Sequence, residues 1–148
     1  MSFLAEQGVR TVHDLTCSIG TEGYNCPLDY FGSDLDESRV RMARYNLSSA
    51  NIFRADALTT TTTADVLLAD PARRAGGKRI TRPEVLVPPL PEVVDKHRGK
   101  ELAIKCAPGL DFSEWDGLVT VASVDGGVKE SCLYTPGLGT VSYTHLRA

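Results

Sequence analysis

Short apolar runs rich in β-branched residues recur along this chain, and each of the first four runs into an aspartate. They are VRTVHDL (9–15) with Asp14, DYFGSD (29–34) with Asp34, ANIFRAD (50–56) with Asp56 and TADVLLAD (63–70) with Asp70. Helical or turn-rich stretches lie between them. This alternation builds βαβ units, because parallel strands need a crossover to return to the same end of a sheet. ELAIKCA (101–107) reads as a fifth strand, and 117–124 and 128–135 as two more around Asp125-Gly126-Gly127, a hairpin signal. The expected fold is α/β: a seven-stranded, mostly parallel sheet with a terminal antiparallel hairpin.

The clearest helix is DESRVRMARYNLSS (36–49), with Asp36 as N-cap and Val40, Ala43 and Leu47 at helical spacing. Its arginines read as a solvated face. Phe3 and Leu4 pack as the end of a short leading helix closed by Gly8, and Pro91 suits the first turn of a helix over 92–97. The threonine run 59–63 reads as an exposed connector without chemistry. Residues 72–82 are basic and glycine-containing, hence a loop. The last eight residues, VSYTHLRA (141–148), continue no pattern and are expected to be a non-native read-through tail. Residues 1–140 then form one domain, expected to be a fragment of a longer protein.

Composition removes several classes. No apolar run approaches the roughly 20 residues of a membrane helix, and MSFLAEQGVR lacks the layout of a signal peptide. A cytoplasmic protein without membrane partners is expected. Cys17, Cys26, Cys106 and Cys132 are scattered and only three histidines accompany them, so neither a zinc site nor a disulfide framework is expected; the thiols read as reduced and mostly buried. The net charge of −3 does not mark a nucleic-acid binder as a whole. Nothing in the sequence bears on oligomeric state.

In an open α/β sheet, ligands bind beyond the carboxyl ends of the strands, where strand order reverses. Acids after four successive strands would face one such crevice. The turn after the first strand must let backbone approach a ligand, which suits the small residues Thr16, Ser18, Gly20 and Thr21. An acid after the second strand fits two ribose hydroxyls, and one after the third fits an exocyclic amine of adenine.

DLTCSIGT, FGSDLD, RADAL and LLADPARR, in this order, resemble motifs one to four of class I S-adenosylmethionine-dependent methyltransferases, which have a Rossmann-like sheet. DPARR followed by PPL, IKCAPG and SVDGGVKESCLYTPG more closely resembles the bacterial methyltransferases that carry a THUMP-like, RNA-binding type of domain, over residues 9–139. The resemblance implies S-adenosylmethionine as cofactor. Asp14, Cys17 and Gly20 would line its methionine part, Asp34 would hold the ribose, and Asp56 with Ala57 the adenine. Asp70 and Pro71 would face the methyl group and the acceptor as catalytic residues. Two departures stand out. Ser18 occupies a position where the family has glycine. Thr21 and Asp34 are only 13 positions apart, and Gly23 and Pro27 lie between them, so the helix after motif one must be short or broken.

Asp70-Pro71-Ala72-Arg73 is similar to the Asp/Asn-Pro-Pro-aromatic motif of amino-methyltransferases, without its aromatic. Asp70 is expected to orient the acceptor. Cys106 offers a rival mechanism, covalent addition to a pyrimidine ring, against the bland reading of a buried thiol. Arg73, Arg74, Lys78, Arg79 and Arg82 follow the acceptor motif within ten residues, local positive charge suited to phosphate contacts. With the resemblance, RNA is the expected substrate and partner. Two other readings stay open: an NAD-type dinucleotide-binding domain, although 14–20 is not GxGxxG, and a cofactor-binding but inactive fragment.

Overall fold

The central strands are buried along nearly their whole length, as parallel strands covered on both faces must be. The computed structural model describes residues 1–71, 74–75, 78–79, 90–106, 115–124, 127–138 and 144–147. The elements are α1 (Ser2–Glu6), β1 (Thr11–Asp14), β2 (Asp29–Asp34), α2 (Glu37–Asn46), β3 (Asn51–Arg54), β4 (Val66–Ala69), β5 (Arg74–Ala75), β6 (Lys78–Arg79), α3 (Leu90–Lys96), β7 (Glu101–Cys106), β8 (Leu118–Val124), β9 (Gly127–Tyr134) and β10 (Thr144–Arg147).

The main sheet runs β10-β8-β9-β7-β4-β1-β2-β3. From β3 to β7 neighbouring strands are parallel, and β9 inserts antiparallel between β7 and β8. Those seven strands are the expected sheet with its terminal hairpin. Strand order reverses at β1, whose neighbours are β2 and β4. In the tail, outside the expected fold, Thr144–Arg147 pairs parallel with β8, from Thr144↔Thr120 to Arg147↔Ser123, as an eighth strand. An edge such as β8 presents unpaired backbone groups, and almost any extended segment can satisfy them.

Each face of the sheet has its own core. Leu4, Val12, Cys17, Val40, Ala43 and Ile52 pack beneath α1 and α2; Leu15, Leu67, Val93, Leu102, Ile104 and Leu133 pack beneath α3. α2 begins as read, with the Asp36 carboxylate accepting from the amides of Ser38 and Arg39. α3 starts at Leu90, two residues before the expected 92, with Pro91 in its first turn. The segment expected as a basic loop contains an antiparallel ribbon of β5 and β6, register Arg74↔Arg79 and Ala75↔Lys78. Arg73, Arg82 and the hairpin pair Asp125-Gly126 lie outside the described residues. Among the described residues no helix is long and apolar enough to cross a membrane.

Candidate functional site

Because β1 to β4 are parallel, their carboxyl ends share one edge, and the four strand-end aspartates, Asp14, Asp34, Asp56 and Asp70, gather there. Asp14 is level with Gly32 of β2 and Leu68 of β4, and Asp34 is level with Arg54 of β3. Asp56 and Asp70 lie just beyond their strands and are exposed; Asp14 and Asp34 are buried.

The turn after β1 is tied to both neighbouring strands. Toward β4, the Leu15 amide donates to the Leu68 carbonyl and the Asp70 amide to Thr16 Oγ1, both at 2.8 Å. Toward β2, the Cys17 amide donates to the Ser33 carbonyl at 2.9 Å and the Ser18 amide to Asp34 Oδ2 at 3.0 Å. Ser18 sits at φ 52°, in the left-handed region, which is the physical reason a glycine is expected there. Gly20 (φ 93°) lies against α2, where an added Cβ would come 2.8 Å from Leu47 Cδ1. After it the chain makes one 3-10 turn, Thr21–Gly23, in place of a full helix, as the short spacing requires.

Asp34 uses one carboxylate oxygen for Ser18 and the other for the Asp36 amide at 2.9 Å, which leaves a lone pair on each. Asp14 accepts from the Tyr30 hydroxyl at 2.8 Å and the Thr16 amide at 3.2 Å. Its carboxyl is nevertheless pushed up to about 7, because burial, with Glu22 and Asp70 nearby, outweighs those two bonds. Beside it is a cavity of about 230 Å³ whose lining includes Asp14, Glu22, Asp70, Lys105, Leu4 and Tyr134. Two of its lining residues, Lys105 of β7 and Glu22 of the 3-10 turn, pair at 2.5 Å.

Cys17 faces the core rather than this edge: it is 3% exposed, and burial pushes its thiol up to about 12. What it lends the turn is backbone. Cys106 packs in the core with Val119 and Leu133 at 1% exposure, so the pyrimidine-adduct reading loses its accessible nucleophile. Asp56 closes a turn through the amides of Leu58 and Thr59, and Ala57 packs half-buried against the core under α3. Pro71 is buried. Arg74, Lys78 and Arg79 lie in the β5–β6 ribbon. Among the described residues no cluster of three or more His, Cys, Asp or Glu is placed to hold a metal.

Two buried histidines join the site without having been singled out in the sequence. His97, just after α3, approaches the Ala57 carbonyl through Nε2 at 2.7 Å and Thr60 Oγ1 through Nδ1 at 3.0 Å. His13 of β1 meets Ser33 Oγ at 2.7 Å and Thr62 Oγ1 at 3.0 Å. Burial, then the neighbouring His97, lowers the His13 imidazole to about 4. The threonine run is therefore not an inert connector: Thr60 and Thr62 tie it to the interior. The only sequence signal was a histidine inside an apolar strand, and a polar group there needs a partner.

No family model matches the chain. It is 42% identical, over an alignment of 141 positions that covers 87% of this chain, to an uncharacterized S-adenosylmethionine-dependent methyltransferase of Mycobacterium tuberculosis (strain CDC 1551 / Oshkosh). A second protein so named, from strain ATCC 25618 / H37Rv, matches equally. The chain spans 39% of the length of these relatives. Among solved structures it is similar to a candidate methyltransferase from Porphyromonas gingivalis W83, with TM-score 0.69, 20% identity, and coverage of 90% of this chain and 39% of that one. It also resembles an rRNA methylase from Streptococcus thermophilus, with TM-score 0.54, 14% identity, and coverage of 90% and 91%. At such identities the likeness is one of fold, and the fold of this chain is the Rossmann-like sheet of class I methyltransferases.

Proposed function

We propose that the chain is the cofactor-binding core of an S-adenosylmethionine-dependent methyltransferase that modifies RNA. The observation that carries the reading is the row of acids after four adjacent parallel strands, on the edge where strand order reverses. The 42% identity to relatives named for that cofactor points the same way.

The residues suit the group. Glu22 and Asp70 offer negative charge to a sulfonium and an ammonium, Asp14 an acceptor oxygen that gains its full charge only above about pH 7, and Lys105 offers a counter-charge to a carboxylate. The lone pairs left on Asp34 are free for ribose hydroxyls. Asp56 and Ala57, just beyond β3, are assigned to the adenine. The cavity of about 230 Å³ is smaller than the roughly 300–1,000 Å³ of whole ligand sites. It suits the methionine end, with ribose and adenine along the open strand ends. When bound, S-adenosylmethionine supplies a methyl group on a cationic sulfur.

The chain's own work is to bind and orient. Asp70 accepts a hydrogen bond from the acceptor and sets its approach, and Pro71 stiffens the backbone behind it. Arg73, Arg74, Lys78 and Arg79 hold phosphates of the RNA beside that point. The likeness of DPARR, IKCAPG and the following strand pair to methyltransferases with a THUMP-like domain supports RNA as the substrate class.

The test is calorimetric titration with S-adenosylmethionine and, separately, NAD. The former is expected to bind in the micromolar range, about −8 kcal/mol. Asp34→Ala is expected to abolish binding. Asp34→Asn, which keeps an oxygen for the Asp36 amide, is expected to weaken it with the fold intact. Binding of NAD alone would replace the reading with a dinucleotide-binding domain. Cofactor binding without transfer to any RNA would make the chain a binding module.

A further inference from the structure

We infer that His97 is a positioning residue for the cofactor: from inside the protein, its imidazole holds the loop after β3 in the shape that receives the adenine. The inference rests on the methyltransferase reading above.

His97 is 1% exposed, and both ring nitrogens are committed to the loop after β3. A carbonyl oxygen has no proton, so Nε2–H must donate to Ala57. In the neutral ring Nδ1 is then the acceptor, and the Thr60 hydroxyl donates to it. One tautomer is fixed by its two partners, which flank the turn that Asp56 closes with Leu58 and Thr59. The partners lie 40 and 37 residues away in sequence, so the loop is held from the residue after α3 as well as by its own turn. A second imidazole continues the attachment. His13 holds Thr62 on one side and, on the other, Ser33, which immediately precedes Asp34. The ribose-side and adenine-side segments are thereby fixed to the same interior.

Core filling alone does not account for the choice of residue. An apolar side chain would fill the volume but leave the Ala57 carbonyl without its donor, and an unpaired buried polar group costs about 1–3 kcal/mol. Relaxing the loop to find water would relieve that cost by moving Ala57.

The experiment uses the full chain with three substitutions. His97→Met keeps bulk without a donor, His97→Gln keeps an N–H donor, and Thr60→Val removes one partner at an exposed position, so the test survives if the methionine variant fails to fold. Affinity for S-adenosylhomocysteine is read by calorimetry, and the ring tautomer and the amides of residues 57–60 by ¹⁵N NMR. We expect a protonated Nε2 in the ligand-free protein. Binding should weaken about tenfold in His97→Met and about threefold in Thr60→Val, with recovery in His97→Gln to within about threefold of the original. Shifted amides at 57–60 should accompany the loss. Unchanged affinity in folded His97→Met and Thr60→Val would overturn the inference while leaving the cofactor assignment standing. An unmodified chain that binds no S-adenosylhomocysteine would overturn both, and the NMR arm would still report whether the attachment exists.

Discussion

Asp14 and His13 are neighbours in β1, and burial moves their titrations in opposite directions, past each other. The Asp14 carboxyl rises from 3.8 to about 7, and the His13 imidazole falls from 6.5 to about 4. Between about pH 4 and 7 the folded state holds an Asp14 proton that the unfolded chain has released, so this group's contribution to stability falls as pH rises, by at most about 1.4 kcal/mol per unit. Between about pH 4 and 6.5 the unfolded chain holds a His13 proton that the folded state lacks, so the second contribution rises with pH. The two slopes oppose each other and largely cancel below about pH 6.5. Asp14→Asn removes only the first. Urea unfolding across this range should show the stability of the variant, relative to the original chain, climbing with pH and levelling above about 7. A pH-independent difference would mean that Asp14 is ionised throughout. Ser18 belongs to the same scale: its left-handed backbone costs roughly 1–2 kcal/mol and keeps its amide on Asp34.

Elements, unlike single side chains, carry their own punctuation, and α2 shows how far it can be read. Asp36 accepts from two otherwise unpaired amides of the first turn. Asp36→Ala should therefore cost about 1 kcal/mol, or about 4 °C in Tm for a domain of this size, measured by thermal denaturation. An unchanged Tm would show that packing of Val40 and Ala43 alone sets the start of the helix. The strands were legible for a similar reason: β4 and the centre of β7 are buried on both faces, so their apolar runs are continuous, and β1 is marked by the apolar residues that flank His13 and Asp14. The acids that end or follow them were legible as a row, because parallel topology brings every carboxyl end to one edge. The shortened crossover after Gly20 followed from residue count and Pro27. Three things were not legible. The histidine-to-threonine attachments join positions 37 and 49 residues apart, and no local pattern encodes such pairs. The burial of Cys17 depends on which way one side chain of a turn points. The pairing of Thr144–Arg147 with β8 depends on an available edge rather than on any periodicity of its own.

At the scale of the whole molecule, charge separates the proposed substrate from the protein that would bind it. A net charge of −3 repels RNA at long range, so any attraction must come from local charge close to the phosphates. The basic positions supply it: Arg74, Lys78 and Arg79 fall in one short ribbon, and Arg73 adjoins it in sequence. The chain leaves β4 at Asp70 just before that ribbon, so phosphate contacts there would deliver a base to the edge that carries the four acids. Counterion release makes this measurable, because each phosphate contact to a single strand adds about −0.7 to the slope of log K against log salt. With three or four contacts, anisotropy of short labelled RNA fragments between about 50 and 200 mM KCl should give a slope of about −2 to −3. Replacing Arg74 and Arg79 with glutamine should remove about 1.4 of that slope and weaken binding at low salt most. The cofactor affinity of the same variant, read separately, should stay unchanged, since neither residue is among those assigned to the cofactor. A salt-independent affinity, or a slope that survives both substitutions, would place the RNA elsewhere on the protein. The ribbon would then be only a solvated connection between β4 and α3.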